Sequence, residues 1–429
     1  MIAEGRPRPT RGGRRGFFAL RAGLLLVALA GGGWAVLAAS AADRHAPHAG
    51  MSADGMRAAG GEAPVGAAQP TLPGGRVRTY YIAADEVPWN YAPRGRDMVT
   101  GRRFGPVEDT YVKRGPARIG STYVKSLYRQ YRDATFRRRL PVSPQWRHLG
   151  FLGPAIEAEV GDTIVVHFKN HTTHSASMHP HGVRYAKDSE GALYDDATAG
   201  RDKADDAVPP GGTHTYVWQV PERAGPGPAD GSSVMWMYHG HTNEVADSYA
   251  GLIGPIIVTK RGMARPDGSP DDVDRQFVAL FMVDNENESP YLGRNMRRYL
   301  TARGSLLRRE VAHLPADEGF QESNLMHSIN GYVYANGPVM RMRTGERVRW
   351  YVMSMGSEVD LHTPHWHGNT VTTTMGMRTD VLTLLAGSMQ TADMQPDDPG
   401  MWLFHCHVND HITAGMLTRY EVDPPSPTG

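Results

Sequence analysis

The chain repeats itself at long range, and that repeat limits the folds open to it more than any other feature. LGPAIEAEVGDTIVVHFKN (152–170) is echoed by NGPVMRMRTGERVRWYVMS (336–354), HPHG (179–182) by HWHG (365–368), and MWMYHGHTNEVADSYAGLIGPIIV (235–258) by MWLFHCHVNDHITAGMLTRYEV (401–422). Two copies of one supersecondary plan predict two similar domains, and 429 residues suffice for two cores. Within each copy, short β-branched or aromatic runs such as 163–168, 215–220 and 347–353 are bounded by Gly, Pro or Asp. With 49 Gly and 31 Pro, the composition suits a loop-rich β protein rather than a helical bundle. The expected fold is therefore all-β, as two tandem β-sandwiches over 76–262 and 275–424, joined by the turn-rich stretch RGMARPDGSPDDVDR (261–275).

Ahead of the first sandwich, Arg14-Arg15 precedes an apolar run over 22–38 and the small-residue site Ala39-Ser40-Ala41. This reads as a twin-arginine export signal over 1–42 and a flexible leader over 43–75, giving a periplasmic or extracellular protein without a stable membrane partner. After removal of 1–42, 40 basic residues face 44 acidic ones, so nothing points to nucleic acid. A lone cysteine excludes an intrachain disulfide. A basic insertion over 289–319 is expected to be a solvated loop with a short helix around 297–310. Met235, Met237, Met353, Met355, Met375 and Met377 lie in or beside predicted strands and read as core filling.

Ten of the nineteen histidines fall in four clusters, and the last surrounds the only cysteine: His179 and His181; His239 and His241; His362, His365 and His367; His405, Cys406, His407 and His411, followed by Met416. Side chains on a strand alternate faces, so His-x-His aims both rings the same way. In His405-Cys406-His407 the rings share one face and the thiolate takes the other. One tripeptide can then serve two metal centres. Cys406, His362, His411 and a weak axial Met416 form a blue-copper donor set, and the remaining eight histidines form a second, copper-holding group. Each such ring must be neutral, with its second nitrogen hydrogen-bonded.

At these clusters the chain resembles multicopper oxidases, above all two-domain small laccases and the ceruloplasmin group. The ceruloplasmin likeness spans nearly all of 79–422 and is carried by YYIAADEVPWNYAP, FLGP, HGVRYAKDSEGALYDD, YAGLIGPIIV and QESNLMHSING. The resemblance implies tandem cupredoxin-like Greek-key domains that take electrons singly from a reductant and reduce O₂ to water. By motif, type 1 copper would use His362, Cys406, His411 and Met416; type 2 copper His179 and His365; and the type 3 pair His181, His239, His241, His367, His405 and His407. Tyr185 and Glu190 stand where small laccases carry a tyrosine and an acid that supply an electron and protons. Glu322, His327 and Asp410 match a ceruloplasmin iron site, which favours Fe(II) as reductant; a phenol or aromatic amine is the other candidate, and Asp360 is placed to serve either. In the first half, Gly240, Val245 and Leu252 stand where the second has Cys406, His411 and Met416, so one chain has one type 1 site. The family's two-domain members complete the remaining centre between subunits, which implies a homotrimer. A copper nitrite reductase shares the fold but carries its copper cysteine in the first domain, and a simple blue-copper electron carrier would leave eight histidines unexplained.

Overall fold

The computed structural model describes residues 74–301 and 311–425; the expected signal and all but the end of the leader lie outside them. The first half is built from β1 (Val77–Asn90), β2 (Thr122–Tyr131), β3 (Ile156–Glu159), β4 (Thr163–Asn170), β5 (His179–Pro180), β6 (Thr213–Gln219), β7 (Ser233–His239) and β8 (Ile253–Thr259). They form two sheets, ordered β2-β1-β4-β6 and β3-β8-β7-β5. The second half uses β9 (Arg275–Asn285), β10 (Leu325–Ile329), β11 (Met340–Arg343), β12 (Val348–Ser354), β13 (Pro364–Trp366), β14 (Val371–Thr373), β15 (Arg378–Thr379), β16 (Met389–Met394), β17 (Gly400–Cys406) and β18 (Leu417–Asp423). Their sheets run β10-β9-β12-β16-β14-β15 and β11-β18-β17-β13.

The sequence repeat reappears in the pairing. β1 runs parallel to β4 and β3 to β8; β9 runs parallel to β12 and β11 to β18. The other ladders are antiparallel, as in a cupredoxin sandwich. Among the described residues no ladder joins a strand of one half to a strand of the other.

Three cores hold this arrangement. Ile164, Val166, Phe168, Trp218, Ile256 and Val258 fill the first sandwich. Phe277, Phe281, Trp350, Trp366, Phe404 and Tyr420 fill the second. The third core lies between the halves and draws on both, with Tyr123, Leu127, Met237 and Ile257 against Leu280, Met282, Tyr351 and Met353. Period-two alternation explains the sharing. Along β9, Phe277, Ala279, Phe281 and Val283 face the inner core while Val278, Leu280 and Met282 face the shared one. That is why this strand reads as an unbroken apolar run: both of its faces are buried. Lys125 of β2 is fully buried in the junction, where it donates to Glu286 Oε1 at 2.6 Å and to Tyr91 Oη at 2.8 Å.

Two expectations need correction. In the insertion a helix spans Leu292–Tyr299, beginning five residues before the expected one and overlapping it at 297–299; residues 302–310, the rest of the expected helix, lie outside the described set. Nor is the insertion a solvated loop: Asn295, Met296 and Tyr299 are buried, and Asn295 Oδ1 accepts the Val124 N–H at 2.8 Å. Of the six methionines, Met235, Met237, Met353 and Met355 do fill the core, but Met375 and Met377 are 79% and 61% exposed. They flank Gly376, whose φ of +76° turns the chain, so strand periodicity does not apply there.

Candidate metal centres

Strand register delivers the histidines in pairs. In the second half β13 lies against β17, with Pro364 opposite Cys406 and His365 opposite His405. In the first half β5 lies against β7, with His179 opposite His239. The glycine closing each His-x-His-Gly turn has the same role in both copies. Gly182 and Gly368 both adopt φ +74°, and a Cβ at either would lie 2.2 Å from Trp236 or 2.6 Å from Trp402, the equivalent tryptophans of β7 and β17.

On the inner face of β17, Cys406 is fully buried. Its sulfur lies 3.6 Å from His411 Nδ1 and 3.8 Å from His362 Nδ1, and these two ring nitrogens are 3.2 Å apart. The Thr363 N–H donates to the sulfur at 3.4 Å. Met416, also fully buried, closes the site through its backbone, accepting the Cys406 N–H at 3.1 Å. One soft thiolate between two imidazoles fits copper, and Met416 shares the apolar core that holds the cysteine. Asp360, expected to serve either reductant, does not reach the surface. It is fully buried, and its Oδ1 faces His362 Nε2 at 3.0 Å and accepts the Val283 N–H at 2.8 Å. Buried there, it orients the His362 ring and is out of reach of a reductant.

On the opposite face, His365, His367 and His405 converge: His367 and His405 bring their Nε2 atoms to 2.9 Å, and His365 Nδ1 lies 3.3 Å from His405 Nε2. His407 joins them, with ring centroids 5.2 Å from His365 and 5.4 Å from His405. The first half repeats this with His179, His181 and His239, where His181 and His239 Nε2 are 3.1 Å apart, and with His241, 5.1 Å from His179 by centroid. Backbone carbonyls take the second nitrogen of three rings: Glu190 O for His179 (2.7 Å), Gly240 O for His239 (3.0 Å) and Cys406 O for His405 (2.6 Å). These contacts fix the tautomer and leave Nε2 for a metal. Burial lowers His181 to about 4 and His239 to about 3, so both rings are neutral and carry a free lone pair at neutral pH. No ring contact among the described residues links the two sets of four.

The first half's counterpart of the cysteine site is filled differently from the residue-by-residue match of the two repeats. The helices Glu244–Ala250 and Asn409–Ala414 both end on a left-handed glycine, Gly251 and Gly415. Counted back from that glycine, Asp247 matches His411: the Leu252 N–H bonds Asp247 O at 3.0 Å as the Met416 N–H bonds His411 O at 2.9 Å. Val245 is instead 52% exposed. A Cβ on Gly240 would lie 2.7 Å from that of Asp247, so a buried aspartate occupies the space where the second half places sulfur and imidazole.

Of the two expected relay residues, Tyr185 lies beside the first-half set, its ring 5.9 Å from that of His179. The Glu190 carboxylate is turned away onto Lys187 Nζ and the Tyr194 hydroxyl; this residue meets the histidines only through its carbonyl. Glu322, His327 and Asp410 gather beside the cysteine site. The His327 ring lies 5.2 Å from that of His411, and the charges of Glu322 and Asp410 both act on it. Burial, then the His411 charge, lower His327 to about 4, leaving it a neutral donor. Its Nδ1 is tied to Leu325 O at 3.0 Å, so Nε2 is the nitrogen open to a cation. Sequence reasoning missed Tyr111, whose hydroxyl donates to Glu322 Oε1 at 2.6 Å.

Profiles described as multicopper oxidase match residues 149–262 and 309–426. The chain belongs to the multicopper oxidase family. This family membership makes copper its metal. The chain is 45% identical over 355 residues to human Ferroxidase HEPHL1, 43% over 357 to human hephaestin and 39% over 349 to human ceruloplasmin. These alignments cover 82%, 82% and 80% of this chain but 30% of each relative, so this multicopper oxidase spans less than a third of the length of those proteins. Among solved structures, a crystal structure of a multicopper oxidase superposes with a TM-score of 0.50 at 20% identity, covering 82% of this chain and 92% of that one, which supports the cupredoxin fold.

The two imidazoles beside the cysteine of this multicopper oxidase favour its thiolate. Burial pushes the Cys406 thiol up, but hydrogen bonds with His362 and His411 outweigh it and bring the group down from 9.0 to about 6. In copper-free protein the ultraviolet thiolate band should therefore persist above pH 6 and vanish below it. A midpoint near that of an ordinary cysteine, about 8.5, would show that the two rings do not hold the sulfur.

Proposed function

We propose that the protein oxidises Fe(II) one electron at a time and couples this to the four-electron reduction of O₂ to water, as an exported ring of three chains. The observation that carries the reductant is the gathering of Glu322, His327 and Asp410 beside His411. Carboxylates with one imidazole suit Fe(II) better than a phenol. The substrate named for the ferroxidase relative supports the same reading.

Copper supplies reversible one-electron chemistry and a site for O₂ when bound. The chain does the rest. Glu322, His327 and Asp410 hold the reductant iron. His327 sets it one ring contact from His411 and so from the Cys406 sulfur. His405 and His407, covalent neighbours of Cys406, hand the path to the opposite face. Asp360 keeps His362 in orientation. Tyr185, raised in pKa by burial and then by the Glu190 charge, stays protonated as a proton and electron donor beside His179.

By ligand count, each functional unit holds one type 1 copper, one type 2 copper with His179 and His365, and a type 3 pair with the other six histidines. Each half contributes four of the eight rings, and within a chain these stand apart. A head-to-tail contact brings the first half of one chain to the second half of the next, and such contacts must close or grow without end. Three chains close the ring with three complete centres. No helix among the described residues is long and apolar enough to cross a membrane.

The iron reading predicts that Glu322→Ala with Asp410→Ala lowers Fe(II) turnover on the order of a hundredfold while phenol turnover stays within about twofold. Steady-state O₂ uptake with each donor measures this. Equal losses would favour a phenol-type substrate.

A further inference from the structure

The segment covering the iron-binding residues comes from the other half of the chain. The helix Glu108–Val112 packs against both Glu318–Ser323, which carries Glu322, and Asn409–Ala414, which carries Asp410 and His411. Its Tyr111 is buried. The hydroxyl donates to Glu322 Oε1 at 2.6 Å across 211 residues of sequence, and the ring meets His327 edge-on with centroids 5.8 Å apart. One side chain thus touches two of the three proposed iron ligands and, through His327, stands one ring contact from His411.

We propose that Tyr111 is a positioning residue for the reductant: it holds the Glu322 carboxylate and the His327 ring in the arrangement that Fe(II) needs, and so sets the affinity of that site. The inference rests on the iron reading above. Glu322 sits at the surface, where an unrestrained glutamate samples many rotamers and loses that freedom when a cation binds. A hydrogen bond already made to Oε1 removes part of that loss beforehand and leaves Oε2 for the cation. The Tyr111 hydroxyl is the donor in this contact, because an ionised carboxylate oxygen can only accept. The ring restrains His327 from one side as the Leu325 carbonyl does through Nδ1, which leaves Nε2 as the nitrogen for a cation. The sequence could not show this, because Tyr111 lies in a short helix outside every histidine cluster.

The test is Tyr111→Phe in copper-loaded protein. This change keeps the ring and its packing and removes only the hydroxyl. Retained blue absorption and unchanged phenol oxidation would show that the cysteine site is intact. Against that background, KM for Fe(II) should rise about tenfold at nearly constant kcat, the scale set by losing one hydrogen bond to a charged group. Calorimetric titration with Co(II), a divalent probe that does not reduce the protein, should show a similar loss of affinity. Unchanged KM and unchanged Co(II) affinity, in a wild-type protein that oxidises Fe(II) and binds Co(II), would overturn the assignment of Tyr111 alone. A wild-type protein that oxidises phenols but neither binds Co(II) nor turns over Fe(II) would overturn the iron reading and Tyr111 with it.

Discussion

Cys406→Ser is expected to remove the blue colour and lower O₂ consumption by on the order of 10³ or more, because a hard hydroxyl cannot replace the soft thiolate. No other group in the chain can compensate. Cys406 is the only cysteine, and the matching position in the first half is Gly240, backed by Asp247. The substitution also buries an oxygen where sulfur stood, although the Thr363 N–H remains as a partner. Copper at the histidine-only sets should be retained, since none of those eight rings depends on the sulfur. Absorption spectroscopy, copper content and O₂ uptake on one preparation decide the matter. Substantial oxidase activity in the serine variant would remove the basis for a single type 1 centre per chain.

The second large effect concerns assembly. Chains carrying His181→Ala with His239→Ala should be inactive, and so should chains carrying His365→Ala with His367→Ala, because each lacks one half of every centre. Mixed and reassembled, they should recover about a quarter of wild-type O₂ uptake, since one junction in four joins an intact first half to an intact second half. A centre completed within one chain could not be rescued by mixing at all. Sedimentation of the mixture reports whether the rings have formed. Recovery near zero with trimers present would therefore refute completion of the centre between subunits.

Much of the grouping of the histidines and the cysteine was legible in the sequence because a strand alternates faces whatever surrounds it. His405-Cys406-His407 splits into two ring faces and one thiolate face by that rule alone, and the observed contacts follow it: sulfur to His362 and His411, rings to His365 and His367. The glycine ending each His-x-His-Gly turn was equally visible, though its cause, a tryptophan against its Cα in both halves, was not. Counting along the chain failed where a helix intervenes. Asp247, not Val245, stands at the His411 position, because helix length rather than residue number sets the return to Leu252. The burial of the insertion's Leu292–Tyr299 helix was not legible either: Asn295, Met296 and Tyr299 answer to a partner surface in the first half.

What the sequence by itself determined is the local geometry: two copies of one β-sandwich, the pairing of rings on one strand face, and a single sulfur among them. These depend on backbone periodicity and residue chemistry, which are properties of neighbours in the chain. What only the tertiary structure decided is which distant groups meet. Asp360 turns inward to His362 because β9 offers it the Val283 N–H. Glu190 turns onto Lys187, away from the histidines. Tyr111 reaches Glu322 because the shared core locks the two halves together and brings a first-half helix over a second-half site. No periodicity encodes such contacts; they follow from packing one domain's surface against the other's.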